Sequence, residues 1–460
     1  MTISLGSIKS EINDRLANTS ISALESCQLE NANNIIMNVP VKKVDGALPS
    51  NCTGLMAYCD GPTKAYYYSK GTAWSSDTNS KGTEGYILYG AHSGGNYCGV
   101  VGQNVSTSFN ALTRIGNTED QWTQISSGIN HSLALKKDGS LWGWGCACSG
   151  QIGNGTSGPG ASVLAPSRES LQSNEWCHIS AGARVSAAIK IDGSLWTWGD
   201  SSCGNLGNGT AFSCSSTPTR EFTSSNNWCV VSVGACHSIA IKKDGSLWGW
   251  GNNTCGEIGD GSGITKITPS REVTSSNDWC AAAAGSFTSH AIKKNGTLWS
   301  WGSGVCGALG DGAALQRSTP VQEVSLSTNW SSLSATYAPS VHAIKKDGSL
   351  WSWGYNLNGQ LATNNTIGYS SPVREITSSN NWSKVVGGWT SVFGLKQDGT
   401  LWGWGVNSCG QLLTGQKYYT SYSSPVQEYT KSNNWVDMAM GRGSFVTGHA
   451  IKKVVQGYCV

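Results

Sequence analysis

One unit recurs every 51 to 54 residues from Gln121 to the C-terminus, and this periodicity limits the fold more than any other property of the chain. Each copy opens on Trp-x-x-[Ile/Val/Ala]-Ser/Ala-x-Gly, at Trp122, Trp176, Trp228, Trp279, Trp330, Trp382 and Trp435. Six copies continue with Asp-Gly-Ser-Leu-Trp-x-Trp-Gly or a close variant, whose paired tryptophans run from Trp142 and Trp144 to Trp402 and Trp404. These positions hold 19 of the 21 tryptophans. Alternating side chains in His131–Lys137 and Ser140–Trp144 predict two strands. The dipeptides between such strands, Asp138-Gly139, Asp192-Gly193, Asp244-Gly245, Asn295-Gly296, Asp347-Gly348 and Asp398-Gly399, predict tight hairpins in which both central residues take positive φ. A Gly-rich stretch such as Gly204–Thr210 and then a proline, as at Pro218 or Pro269, connect and terminate strands.

A unit of this length made of short strands cannot bury both faces of its sheet alone, so successive copies must pack face to face around an axis. The final copy, Trp435–Lys453, holds only the first half of the unit, and Gly85–Gly90 with Cys98–Gly102 resembles the missing half. The expected fold is therefore all-β: a seven-bladed β-propeller closed by pairing of N- and C-terminal strands, with no open sheet edge. The 59 glycines and the low charged fraction of 13% fit many tight turns and short aromatic strands.

Together, Trp-x-x-Ile-Ser-x-Gly-x-x-His-Ser, Asp-Gly-Ser-Leu-Trp-x-Trp-Gly and Gly-x-Leu-Gly-x-Gly-Thr resemble the regulator of chromosome condensation repeat family over residues 84 to 453. That resemblance implies a seven-bladed propeller with a protein-interaction role. The family includes a nucleotide-exchange factor for the Ran GTPase, a plant ultraviolet receptor and a secreted β-lactamase inhibitor, so the fold alone does not choose a function. Exchange activity in the family depends on an inserted β-wedge and basic tails, and the uniform units here carry neither.

No enzymatic chemistry emerges from the residues. His131 and His237 occupy the repeat's own His-Ser position, and His290, His342 and His449 lie two residues further along, so none marks a catalytic triad. Asp138, Asp244 and Asp347 read as turn formers. Glu169, Glu221, Glu272, Glu323, Glu375 and Glu428 recur after proline and read as strand-edge residues. No polar cluster is marked for the central opening. Of the 16 cysteines, Cys98, Cys203, Cys255, Cys306 and Cys409 each precede a glycine and read as a packing slot, most of them free thiols. Cys146-Ala-Cys148 has no complementary ligand pair, so no metal, cofactor or catalytic residue is expected.

Two sets of residues are candidates for partner contacts. Lysines before each turn, Lys137, Lys190, Lys243, Lys294 and Lys346 among them, fall on one rim, where they either meet a host surface protein or anionic glycan or simply solubilise strand ends. Loop residues that break the repeat, Phe212, Arg317, Tyr355, Tyr369, Tyr418, Tyr419 and Tyr422, are free of the symmetry and suit specific contacts.

Residues 1–50 share nothing with the repeat. Ile8, Ile12 and Leu16 fall at helical spacing and predict a partly helical docking segment, followed by a connector over 51–70 and the propeller over 71–460. Ser7–Asn13 and Thr19–Ser22 resemble short adaptor segments of bacteriophage tail and fibre proteins. The leading expectation is thus a virion component, made in a host cytoplasm, that binds other virion proteins through residues 1–50 and presents its propeller to a host surface or neighbouring subunits. The alternative is a cytoplasmic adaptor or inhibitor. No apolar run reaches the roughly 18 residues of a membrane span, and the net charge of +3 gives no footprint for strong nucleic-acid binding.

Overall fold

The computed structural model describes residues 23–30, 36–43, 56–59, 65–69, 74–76, 83–92, 98–103, 109–117, 120–408, 410–416, 420–443 and 447–456. It divides into two compact units, Met1–Glu84 with Val455–Val460, and Gly85–Val454. In the first, five strands form one sheet in the spatial order Ile36–Lys43, Ala23–Glu30, Met56–Cys59, Ala65–Ser69, Trp74–Ser76. Ile8, Ile12 and Leu16, expected on a helix, lie outside the described residues.

The second unit is the expected seven-bladed propeller: seven sheets of four antiparallel strands. From the axis outward, the first full blade runs Trp122–Ser127, His131–Lys136, Leu141–Cys146 and Ser162–Arg168. Innermost strands of successive blades touch around the ring, and Trp435–Met440 touches Trp122–Ser127. The seventh blade joins Trp435–Met440 and Gly448–Gln456 to Thr83–His92 and Phe109–Ile115, so both ends of the propeller chain share one sheet. Across this junction Arg442 N–H donates to Gly128 O at 2.8 Å, and Ile125 N–H to an Asp437 carboxylate oxygen at 3.1 Å.

The hairpins differ from expectation in one respect. Gly139, Gly193, Gly245, Gly296, Gly348 and Gly399 take positive φ, but the preceding Asp or Asn does not. Gly245 N–H donates to Lys242 O, and Lys242 N–H donates to Ser246 O. This is a three-residue loop, a type I turn followed by one left-handed residue, and only that last position demands glycine. The aspartate instead anchors the strand that follows. Asp244 Oδ1 accepts the Ser246 N–H and hydroxyl, and Ser246 Oγ accepts the Trp248 indole N–H at 2.9 Å. The same relay stands at Asp138, Asp192 and Asp347, and with threonine as the middle group at Asn295 and Asp398.

Each of the three tryptophans in a full blade is held differently. The inner one, such as Trp228, lies edge-on to both Trp248 and Trp250, with the Lys242 ammonium over the Trp228 and Trp248 rings. Its indole N–H reaches Glu221 Oε1 at 3.2 Å. Glu221 is buried and also accepts the Thr223 and Ser225 backbone N–H groups, so one carboxylate fixes the link between blades and anchors the next blade's innermost ring. Glu169, Glu272, Glu323, Glu375 and Glu428 repeat this arrangement and are not strand-edge residues. Trp122 departs from the set: the position of the glutamate, seven residues before the tryptophan, holds Ile115, the Trp122 Nε1 has no partner among the described residues, and Asp120 pairs with Lys136.

The third-strand tryptophan binds blade to blade. Trp144, Trp198, Trp250, Trp301, Trp353 and Trp404 are fully buried, and each donates its N–H to a carbonyl in the Gly-rich loop of the preceding blade at 2.7–3.0 Å. Those loops need glycine because the indole stands against them. A Cβ on Gly207, at φ +63°, would lie 2.7 Å from the Trp250 ring.

Histidines complete the joints. His131 Nε2 meets Ser186 Oγ of the next blade at 2.9 Å, and His237 meets Ser289 in the same way. His290 and His342 bond Ser300 and Ser352 within their own blades. All four rings are buried, and burial pulls their pKa values from 6.5 to between about 3 and about 4.

Two outcomes follow for the full chain. Gly245→Ala puts a Cβ 2.1 Å from Asn277 O at a φ of +83°. It should lower the urea midpoint by an amount worth roughly 2 kcal/mol or more, and Asp244→Ala by less; equal losses would contradict the turn geometry. The second outcome concerns acid. Below pH 6.5 the unfolded histidines bind protons that the folded ones refuse until about pH 3 to 4, so stability declines as pH falls through this window. Each histidine adds up to roughly 1.4 kcal/mol per pH unit. His342→Gln should flatten the decline in urea midpoint between pH 6.5 and 4.5, and an unchanged slope would show that His342 is charged when folded.

Candidate functional site

Alternation of strand direction sorts every connection onto one of two ends. The hairpins and the links between blades share one end, as Trp176 N–H to Gly139 O shows. The loops after the first and third strands share the other, as Cys146 N–H to Asn130 O shows.

At the hairpin end Lys137, Lys243, Lys294 and Lys346 are exposed. Lys137, Lys243 and Lys346 each have an Asp beside them, which dilutes the local positive charge, whereas Lys294 has the neutral Asn295. Lys190 is differently placed. It is the counterpart of Lys136 and Lys242, lies over the Trp176 and Trp196 rings, and meets Glu175 at 3.5 Å. The residue at the exposed position of that blade is Ile191, so the rim is not a uniform ring of lysines. Exposed hydrophobic residues at this end mostly repeat at one position, Phe222, Val273, Val324, Ile376 and Tyr429. Phe222 and Tyr429 stand against Gly209 and Gly415 of neighbouring loops and thereby have a packing role.

The loop end carries large apolar side chains of differing kind: Phe212, Ile264, Leu315 and Ile367 share one repeat position, two residues before the fourth strand, and Val305 and Leu357 share another. Phe212, Ile264, Val305, Leu315, Leu357 and Ile367 come from third-to-fourth strand loops, and Phe287 and Trp389 from first-to-second strand loops. They span the second to the sixth blade. Phe212 is 88% exposed, and its backbone sits at φ +58°, a conformation disfavoured for a residue with a side chain. The other symmetry-breaking candidates are more enclosed. Arg317 pairs with Asp311 at 2.8 Å. Tyr369 Oη accepts from Asn365 at 3.0 Å, Tyr422 packs on the core, and Tyr355 is half-buried. Tyr418 and Tyr419 lie outside the described residues.

The central channel is polar on part of its wall. The third residue of each inner strand lines it: Gln124, His178, Val230, Ala281, Ser332, Lys384 and Asp437. Lys384 and Asp437 form an ion pair, and His178 Nε2 meets Val231 O at 3.1 Å. The sequence marked no polar cluster here, because these residues share a repeat position yet differ in kind and so read as scatter. A cavity of about 690 Å³ opens beside them at the hairpin end, lined by Gln124, Lys136, Trp176, Cys177, Lys384 and Asp437 among others. Asp437 is committed to Lys384 and to the Ile125 N–H, so the cluster is a closed set of contacts.

At the loop end two side chains cross the axis. Arg442 of the seventh blade donates to Val233 O of the third at 2.6 Å, and Tyr337 of the fifth donates to Gly234 O at 3.0 Å. The Arg442 guanidinium lies over the Tyr337 ring. Among the described residues no group of three or more potential ligands is set to hold a metal ion, and no helix is long and apolar enough to cross a membrane. The buried His131–Ser186 and His237–Ser289 pairs are closed to any substrate.

Comparison with known proteins agrees with this architecture. Two models described as the regulator of chromosome condensation (RCC1) repeat match, one at residues 122–151, 228–257 and 382–411, the other at 138–189, 192–241 and 347–395. The ultraviolet-B receptor UVR8 of Arabidopsis thaliana is 27% identical over 306 residues, covering 66% of this chain and 69% of the receptor. The human E3 ubiquitin-protein ligase HERC2 is 26% identical over 63% of this chain, a stretch that is only 6% of the ligase. Among solved structures, human WBSCR16 superposes with a TM-score of 0.68 at 17% identity, covering 82% of this chain and all of that one. Yeast RCC1 (Prp20), solved with Kap60, gives 0.66 at 16% identity, covering 81% of this chain and 90% of that one. At such identities the structures speak for the fold alone. Regulator of chromosome condensation (RCC1) repeats are thus found at 122–189, 192–257 and 347–411, within a seven-bladed propeller.

Proposed function

We propose that this propeller is a protein-binding module that engages its partner through the loop end. The observation that carries the reading is the set of exposed apolar side chains there, Phe212, Ile264, Phe287, Val305, Leu315, Leu357, Ile367 and Trp389. Large apolar groups left exposed in loops gain nothing for the fold, and buried aromatic and aliphatic anchors dominate binding energy at interfaces. Binding is a use to which this fold is put elsewhere: yeast RCC1 was solved bound to Kap60, and Prp20p has binding properties towards Gsp1p and histones.

In its specific form the proposal makes the chain a structural component of a virion, with the segment before the propeller joining other virion proteins and the propeller meeting a host surface or a neighbouring subunit. The separate unit Met1–Glu84 supports such a division of labour. An adaptor or inhibitor working in the cytoplasm would use the same loop end.

Two variants of the full chain discriminate the ends. One changes Phe287, Val305, Leu315 and Leu357 to Ser; the other reverses Lys137, Lys243, Lys294 and Lys346 to Glu. Cross-linking mass spectrometry on native assemblies identifies the partner, and titration of that partner should show affinity falling at least tenfold for the first variant and less than about threefold for the second. The opposite order would move the interface to the hairpin end. Recovery of the chain in density-purified phage particles tests the virion form, and its absence from them would leave the adaptor form.

A further inference from the structure

We propose that Cys98 and Cys146 form a disulfide that staples the seventh blade to the first, across the junction where the ring is closed. Their Sγ atoms lie 2.7 Å apart although the residues are 48 positions distant in sequence. Cys98 sits in the loop between Thr83–His92 and Phe109–Ile115, and Cys146 ends the third strand of the next blade.

A second, independent pair repeats the arrangement. Cys203 bonds Cys236 as a disulfide, with Cα atoms 5.4 Å apart. Cys98 and Cys203 hold the same repeat position, each followed by a glycine at positive φ, Gly99 and Gly204. Cys236 and Cys146 hold neighbouring positions at the loop end of the following blade. The Cys146 N–H donates to Asn130 O, and Cys236 O accepts the equivalent bond from Asn252 N–H. One slot in the repeat therefore presents a thiol to the next blade, and a bridge forms where that blade answers with a second cysteine. Cys255 and Cys306 occupy the same slot, but the answering positions hold Phe287 with Ser303 and Pro339 with Tyr355. Those two remain free thiols.

The location is where a covalent tie matters most. At this junction Ile115 stands where every other inner tryptophan has its glutamate, and Trp122 Nε1 has no partner among the described residues. The loop bearing Cys98 is pressed onto the first blade, since a Cβ on Gly99 would lie 2.6 Å from the Leu164 backbone. Closing the bridge removes two protons and two electrons. A small disulfide such as glutathione disulfide takes both electrons: one protein thiolate displaces a glutathione thiolate to give a mixed disulfide, and the second protein sulfur displaces the other. Cys148 lies 3.7 Å from Cys146 and is exposed, which makes it the internal competitor for the bridge.

The test uses the full chain, reduced and then equilibrated with a graded ratio of glutathione to glutathione disulfide, acid-quenched, alkylated and digested without reduction. The expected product is a peptide linking Cys98 to Cys146, with Cys148, Cys255 and Cys306 alkylated. The link should vanish in Cys98→Ser and persist in Cys148→Ser. In a Cys203→Ser, Cys236→Ser background, oxidation should raise the thermal midpoint by roughly 2–5 °C. Full alkylation of Cys98 and Cys146 under conditions that close Cys203–Cys236, or a link from Cys98 to Cys148, would overturn the proposal. The peptide map is read on the unaltered chain, so the result stands even if a variant fails to fold.

Discussion

A blade of this propeller cannot finish its own core, and the bond that settles the matter is the indole N–H of the third-strand tryptophan. It has no acceptor within its own sheet and finds one on the Gly-rich loop of the blade before. A buried donor without a partner costs about 1–3 kcal/mol, so each blade is incomplete until its neighbour is in place. The glycines of the loop, the flat ring that fills the gap, and the short approach of one sheet to the next follow from that single requirement. Ring closure is then the only arrangement in which no blade is left wanting, and the chain meets it by giving one sheet strands from both its ends.

Much of this was legible in the sequence. Tryptophan spacing set the blade, the half-copy near Trp435 and its complement near Tyr86 set the number seven, and Asp-Gly pairs placed the hairpins. What escaped were roles that a repeat hides by being uniform. Glu221 and its copies looked like edge residues because every copy is the same and follows a proline at the end of a strand; their work is to accept three N–H groups out of sight of solvent. Adjacent lysines such as Lys242 and Lys243 looked equivalent, yet alternation sends one over two indole rings and the other into water. The channel residues Gln124, His178, Lys384 and Asp437 were hidden for the opposite reason, since a position that varies in every copy resembles noise until the ring brings the copies together.

The two ends of the molecule consequently divide their duties. Where the repeat is strict, at the hairpin end, nearly every polar group is spoken for: aspartate by serine, serine by tryptophan, glutamate by backbone. At the loop end side chains are released from the fold, and their kind varies from blade to blade even where the position recurs, as at Phe212, Ile264, Leu315 and Ile367. A sevenfold scaffold would otherwise offer seven identical faces, and only such departures let it recognise something that lacks sevenfold symmetry.

Arg442 and Tyr337 give the ring a property that blades alone would not. A hollow cylinder of sheets deforms easily into an oval, because sliding at each joint is small and shared by all. Two chords drawn over the hub, anchored on the third blade from the seventh and the fifth, brace it as wire braces a wheel. They also cross the loop-end mouth, so that whatever enters the channel there must pass beside a guanidinium and a phenol.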